Sequence, residues 1–447
     1  MIIKNWDEIA TTKLRSEALE IVEAGICRVL PPNVMRSSVL YDLENEVLSI
    51  EGDSYDTSGG RVFVIGGGKA SGLMAETLEG IIGTEKIAYG VVNCKSSDYD
   101  VGKIKILEAG HPIPDERGIT GVKEMLAIRD SYNLTEADLV ICLISGGGSA
   151  LMPSPAGDVT LKDKQDITKM LLGSGAEIHE INAVRKHLSE IKGGRLGQFF
   201  SPSKVTSLIL SDVIGNNLDI IASGPTTPDS SAFSDAYSVL EKYNLISVAP
   251  ESVTSLLRMG LEGEIEETPK ILDNCSNYII GDNRLALEAM SAKAEEMGHS
   301  PCIITSEQKG DPAVMAELRA GEIINNKYED HDVVLIGGET TPKLPPNPGE
   351  GGRNQHYVVT SLLAMGVYPK EWVLASVGTD GSDFLEDVAG AIVDNDSLSR
   401  VDGGKASIES CLEDCDSNTL LSGMGNSLVI TGNTGTNVCD VIIYLLE

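Results

Sequence analysis

RVFVIGGGKASGLM, residues 61–74, sets a run of β-forming residues against three glycines and a lysine, after which the apolar spacing turns helical. A strand feeding a glycine loop and then a helix is the building unit of α/β proteins. Two nucleotide-binding signatures begin in this way, and neither is complete here. A P-loop needs a Ser or Thr after its lysine to reach Mg²⁺, whereas Lys69 is followed by Ala70, and the first glycine of that motif is missing. A dinucleotide fingerprint needs a third glycine where Ser71 stands, and then an acid. The next strand-like run, IAYGVVNCK, ends in Asn93 and Lys95 instead. What survives is a loop, Gly66, Gly67 and Gly68 with Lys69, whose backbone N–H groups at a helix N-terminus favour an anion. A tight turn with a solvated lysine is the bland alternative.

Around this unit, strand-like and helical runs alternate along most of the 447 residues. That pattern predicts an α/β fold with a mainly parallel sheet. Strands are expected near 61–65, 87–92, 104–107, 138–144 and 205–210, and helices near 7–30, 70–82, 117–131, 161–173, 177–191 and 234–243. Residues 1–245 are read as a Rossmann-like N-terminal domain, 246–330 as a connecting α/β segment and 331–447 as a smaller C-terminal α/β domain. The closing run VCDVIIYLL is expected as an antiparallel strand at a sheet edge.

The net charge of −32, from 35 basic and 67 acidic residues, disfavours nucleic acid and anionic membranes as partners. It also requires a locally positive pocket for any anionic substrate. No apolar run reaches the ~18 residues that span a bilayer, and the N-terminus has no signal-peptide core. A cytoplasmic protein is expected. The eight cysteines sit mostly in apolar runs without metal-ligand spacing, so neither disulfides nor a structural zinc site is expected.

The opening loop is repeated in plan. DLVICLISGGGSALM, 138–152, ends a strand in Ser145, Gly146, Gly147, Gly148 and Ser149. HDVVLIGGETT, 331–341, ends in Gly337, Gly338, Glu339 and Thr340. WVLASVGTDGSD, 372–383, carries Asp380 and Asp383, and SLVITGNTGTN, 427–437, is a fifth glycine loop. Ligands of open α/β sheets bind beyond the carboxyl ends of strands, so this recurrence points to a phosphate or carboxylate site. On EIHEINAVRKHLSEIKGGR, a helical period puts Asn182, Arg185, Ser189 and Lys192 along one edge beside the apolar stripe. Arg185 has the fork that suits a carboxylate or phosphate, and a solvated edge is the alternative. Asp212, just past a strand, suits a metal, a proton acceptor or a helix cap. Arg353, after the glycines of PGEGGRNQH, suits a phosphate clamp. His111, in AGHPIPDERG, is read as part of a rigid turn, with reach into the site as the alternative. No G-x-S-x-G motif is present and no His stands in a glycine loop, so acyl transfer fits poorly. The inventory suits phosphoryl transfer, where positioning and charge neutralisation do most of the catalysis.

VIGGGKAS, AGHPIPDERG, LISGGGSALM, INAVRKHLSEIKGGRL and LSDVIGNNLDIIASGPTTPD together resemble the glycerate 2-kinase family. GGETT, GEGGRNQ, SVGTDGSD, GAIVD and TGNTGTNVCD resemble its C-terminal domain, MOFRL. The blocks run in order over nearly the whole chain. Asn433, in place of a usual proline, and Glu350, where a basic residue is common, depart from the pattern. The resemblance implies two α/β domains with an active site in the cleft between them, and ATP- and Mg²⁺-dependent phosphorylation of D-glycerate to 2-phosphoglycerate. It implies that Lys69, Asp212 and Arg353 are catalytic. On that footing Ser145–Ser149, Asn182, Arg185 and Lys192 are expected to bind glycerate. Gly66–Gly68 and Gly337–Thr340 are expected to bind nucleotide, and Asp380 and Asp383 are expected to bind metal. A hydroxypyruvate reductase and a catalytically silent nucleotide- or metabolite-sensing protein are the alternatives. Monomer and homodimer both stay open.

Overall fold

The structure, a computed structural model, describes all residues from Met1 to Glu447. It divides into two compact units, Val34–Ile280 and Met1–Asn33 with Gly281–Glu447.

The Val34–Ile280 unit opens with an antiparallel meander of β1 (Val39–Asp42), β2 (Val47–Ile50) and β3 (Asp53–Asp56). Its main sheet contains β4 (Val62–Gly67), β5 (Ile87–Cys94), β6 (Ile104–Glu108), β7 (Leu139–Ile144), β8 (Lys204–Leu210) and β9 (Cys275–Gly281), in the order β6-β5-β4-β7-β8-β9. The pairs β4–β5, β4–β7, β5–β6 and β7–β8 are all parallel. β4 and β7 are buried at every position, as strands covered on both faces must be, which is why they read as unbroken apolar runs. The first crossovers build outward from β4 to β5 and β6, and the later ones turn back past β4 to β7 and β8. The order therefore reverses between β4 and β7, and their carboxyl-end loops face one crevice, the position where such sheets bind ligands.

The helix expected over 177–191 is shorter, Ile178–His187. Beyond it the chain turns through Gly193 and Gly194, both at positive φ (+58° and +82°), and Ser189 pairs with Pro155 in an isolated bridge. Ser189 and Lys192 therefore do not continue a helical edge; Lys192 reaches its place through the turn.

Asp138, immediately before β7, ties the sheet's lower edge together. It accepts from the backbone N–H, Nε and Nη2 of Arg61 and from the N–H and hydroxyl of Thr135. Burial raises the pKa of this carboxyl, but these donors overcome it and hold it at about 2. The unfolded value is about 3.9, so the stabilising contribution is complete above about pH 4 and is lost as pH falls towards about 2. Thermal melts between those pH values should show this acid-labile component in the wild type. Asp138→Asn should be less stable at neutral pH and should lack that component.

The second unit holds β10 (Pro301–Gln308), β11 (Val333–Gly338), β12 (Trp372–Gly378), β13 (Gly390–Asp394), β14 (Leu428–Val429) and β15 (Asp440–Leu446), ordered β10-β11-β15-β12-β13-β14. Only β10 and β11 pair in parallel; β15 runs antiparallel to both β11 and β12. The expectation of an edge position for the last strand is corrected. All seven residues of β15 are buried, and a strand apolar on both faces belongs in the middle of a sheet.

The domain limits also differ from those read in the sequence. The N-terminal helix Lys13–Arg28, capped by Thr12, packs Leu19, Val22 and Ile26 into the core formed by Leu287, Met290 and the β11–β15–β12 face. Buried Arg15 reinforces this placement: Nε donates to Asp394 at 2.5 Å, Nη1 to the carbonyls of Ile9 and Asn426, and Nη2 to Ser397. Residues 281–330 supply β10 and two helices to the same unit, so 246–330 is not a connector. These pairings join residues hundreds of positions apart, which local pattern does not reveal. No helix is long and apolar enough to cross a membrane.

Candidate active site

At the reversal point of the parallel sheet, the loops after β4 and β7 are stitched together. The Lys69 N–H donates to the Gly146 carbonyl at 2.8 Å and the Ala70 N–H to Ser145 Oγ at 2.9 Å, while the Ser71 hydroxyl donates to the Leu143 carbonyl. The Gly68 N–H is taken by the Asn93 carbonyl. Gly66 and Gly67 lie within β4, and a Cβ on Gly66 would stand 2.1 Å from the Leu143 oxygen. Gly66–Gly68 are thus required for close packing of β4 on its neighbours. This corrects their reading as a nucleotide cradle, because the N–H groups of Gly68, Lys69 and Ala70 are already engaged by protein.

The Lys69 side chain passes alongside Gly147, its Cγ 3.3 Å from the position of a Cβ there, and the ring of His111 comes within 2.9 Å of the same point. Gly147, at φ +78°, is needed for both its backbone angle and the space. His111, set aside above as a turn residue, therefore lies at the crevice.

Ser149 heads a polar network. Lys192 Nζ donates to the Ser149 hydroxyl at 2.7 Å, to the Ser149 carbonyl at 3.1 Å and to the Ala222 carbonyl at 3.3 Å. Ser149 Oγ lies 2.9 Å from Ser223 Oγ, and the Ser223 hydroxyl reaches Asn182 Oδ1. Ala222, Ser223 and Gly224 all have positive φ (50°, 62° and 59°), a costly backbone for the first two of the kind that collects at functional sites. Ser223 was not singled out in the sequence, because nothing in ASGPT distinguishes its serine from an ordinary turn. Burial, together with Lys164 and Arg185, pushes the Lys192 pKa well down, and burial lowers that of Arg185. Asp212 stands two residues beyond β8, half-buried, at the same sheet edge as the β7 loop.

The Gly281–Glu447 part carries the second cluster. β11 and β12 both end opposite the first residue of β15, since Gly338 and Gly378 each register with Asp440. Arg353, first residue of the helix Arg353–Ala364, forks onto that carboxylate: Nε to Oδ2 at 2.6 Å and Nη2 to Oδ1 at 2.9 Å. Nη1 pairs with Glu339 at 2.8 Å. Burial works against the guanidinium charge, but Asp440 and Glu339 overcome it and raise the Arg353 pKa. Asp440 was missed in the sequence because its strand was expected at an edge.

Gly337 and Gly338 lie inside β11, and a Cβ on Gly337 would strike Asn283 Oδ1, so they too serve packing rather than a nucleotide cradle. Glu339 and Thr340 lie past the strand and help line a cavity of about 260 Å³ with Pro342, Leu344, Arg353 and Phe384. Phe384 is 79% exposed.

Asp383 is corrected as a metal ligand. Oδ1 accepts from the Asn354 N–H and Nδ2, and Oδ2 from the Gln355 N–H and Nε2, which occupies all four lone-pair directions on the helix N-terminus. Burial, with the charge of Asp440, pushes its pKa up to about 6 against those donors and Arg353. Asp383→Asn would turn an NH₂ group towards the Gln355 N–H. It should cost about 1–3 kcal/mol, read as a lowered Tm, with substrate KM values little changed. Asp380 uses Oδ1 to close a turn with the N–H and hydroxyl of Ser382. No group of three or more His, Cys, Asp or Glu side chains forms a metal cage. A Mg²⁺ ion carried on phosphates needs only one or two protein carboxylates, a demand Asp380 fits.

Comparison with known proteins gives a consistent picture. The model of a domain of unknown function (DUF4147) matches residues 17–258, and that of the MOFRL family matches 332–440. The chain is 37% identical to a glycerate 2-kinase of Pyrococcus horikoshii, over 97% of each. It is 35% identical to a putative hydroxypyruvate reductase of Agrobacterium vitis, over 97% of this chain and 99% of that one. The crystal structure of a glycerate kinase from Thermotoga maritima superposes with a TM-score of 0.82 at 36% identity, covering 96% of this chain and 99% of that one.

Proposed function

The chain belongs to the glycerate kinase family built from DUF4147 and MOFRL domains, and on that footing we propose that it transfers the γ-phosphoryl group of ATP to the 2-hydroxyl of D-glycerate, giving 2-phosphoglycerate and ADP. The observation that carries this reading is the reversal-point crevice, where a lysine, a glycine loop and a buried cation network meet in a strongly acidic chain. The glycerate carboxylate sits on the Ser145–Ser149 loop with Arg185, while Lys192, Ser223 and Asn182 hold Ser149 in place. Asp212 accepts the hydroxyl proton or orients the hydroxyl. Lys69 neutralises charge on the transferring group, as positioned cations do in phosphoryl transfer. Arg353, with Thr340, takes the nucleotide phosphates, and Glu339 lines the same site and pairs with the guanidinium. The apolar wall of the neighbouring cavity, with Phe384, suits the base. Asp380 would hold Mg²⁺, which would supply further charge neutralisation on the phosphates.

The test is a product assay with D-glycerate, ATP and Mg²⁺, coupled to enolase, which consumes the 2-phosphate and not the 3-isomer. ADP with an enolase-competent product is expected; ADP without one would move the phosphate to another position or acceptor. The name borne by the Agrobacterium relative raises a reductase reading. NADH oxidation with hydroxypyruvate is expected to be absent, in keeping with the incomplete fingerprint at 66–71.

A further inference from the structure

Lys164, on the helix Leu161–Gly173, is a residue the proposed mechanism does not use. Its ammonium nitrogen is buried and has no hydrogen-bond partner. The charged groups that act on it are Arg185, from the facing helix Ile178–His187, and Glu190, from the turn that follows; Lys192 of the same turn feels both Lys164 and Arg185. On its own helix, Asp163 is occupied by Thr160 and by Ser252 of the packed helix Glu251–Leu261, and Lys162 pairs with Asp166. Glu190 accepts from Ser154. Lys186, next to Arg185 in sequence, shows how this fold treats a buried cation it intends to neutralise: it is paired with both Asp219 and Asp229. No carboxylate ion-pairs with Lys164 or Arg185, in a chain with 67 acids to choose from. Lys164, Arg185 and Lys192 are three adjacent buried basic groups, none with an ion-pair partner, and charging them together is costly unless an anion joins them.

We propose, resting on the glycerate kinase reading, that Lys164 completes an oxyanion subsite with Arg185 and Lys192 which takes the carboxylate of the hydroxy acid, and that binding draws a proton onto Lys164. Burial, reinforced by Arg185, holds the Lys164 pKa at about 7, so the amine is divided between its charged and neutral forms near pH 7 and is mostly neutral at pH 8. An arriving carboxylate favours the charged form and raises that value.

Calorimetric titration of D-glycerate at pH 8, in two buffers of different ionisation enthalpy, reads both affinity and proton uptake. The wild type should take up a substantial fraction of one proton. Lys164→Met should bind about tenfold more weakly, take up none, and have a higher Tm without ligand because a buried amine without a hydrogen-bond partner is gone. Lys164→Arg should recover affinity without uptake. Unchanged affinity and uptake in Lys164→Met, in a wild type that turns over D-glycerate, would overturn the inference and leave the kinase reading intact. If the wild type neither binds nor phosphorylates D-glycerate, the kinase reading fails, and inorganic phosphate becomes the probe. Phosphate binding with proton uptake that Lys164→Met abolishes would uphold the oxyanion subsite; binding unaffected by Lys164→Met, or no binding, would overturn it.

Discussion

Lys69→Ala should lower kcat for D-glycerate phosphorylation by about 10²–10³-fold, the cost of removing one charge-stabilising group from a preorganised site. The fold should hardly notice. Two main-chain bonds hold residue 69 in the loop: its N–H donates to the Gly146 carbonyl and its carbonyl accepts from the Cys94 thiol. An alanine keeps both, so Tm should stay near the wild-type value while turnover collapses. If the lysine acts on the transition state, kcat and kcat/KM fall together; a rise in KM alone would assign it to substrate binding. A near-normal kcat would remove Lys69 from the mechanism altogether.

Arg353→Ala should fail in two ways at once. It strips the partner from Asp440, a buried carboxylate beside Asp383, and breaking such a pair costs about 3 kcal/mol. It should also remove at least about 10²-fold from kcat if the guanidinium neutralises phosphate charge. The double variant Arg353→Ala, Asp440→Asn separates the two. Removing the orphaned charge should return much of the lost Tm and none of the lost turnover. Arg353→Lys makes the complementary point, since it keeps the positive charge without the planar fork that grips both oxygens of Asp440. It should lose part of the Tm, because the two-point grip on Asp440 is gone, and keep more turnover than Arg353→Ala, because the charge remains. Recovery of kcat in the double variant would show that Arg353 matters only for the fold.

Much of this molecule is legible from the order of its residues. Strand–glycine–helix units, each set by local backbone preference and apolar period, announce the α/β class, the parallel sheet of the Val34–Ile280 unit and the loops where its chemistry gathers. The blocks around Lys69, Arg185, Asp212 and Arg353 carry the family on their own. Local pattern holds that information because propensity, turn chemistry and side-chain period act over a few residues. Tertiary structure decided the rest. It placed β15 at the centre of its sheet and so brought Asp440 under Arg353. It carried the helix Lys13–Arg28 to the C-terminal unit through Arg15 and Asp394. It turned Asp383 from a metal ligand into a helix anchor and Gly66 and Gly337 into packing contacts. It gathered Lys164, Arg185 and Lys192 at one place, and set Lys192 there through a turn instead of along a helix. Burial and charge act through space, between residues the chain keeps far apart, and only the folded packing says which of them meet.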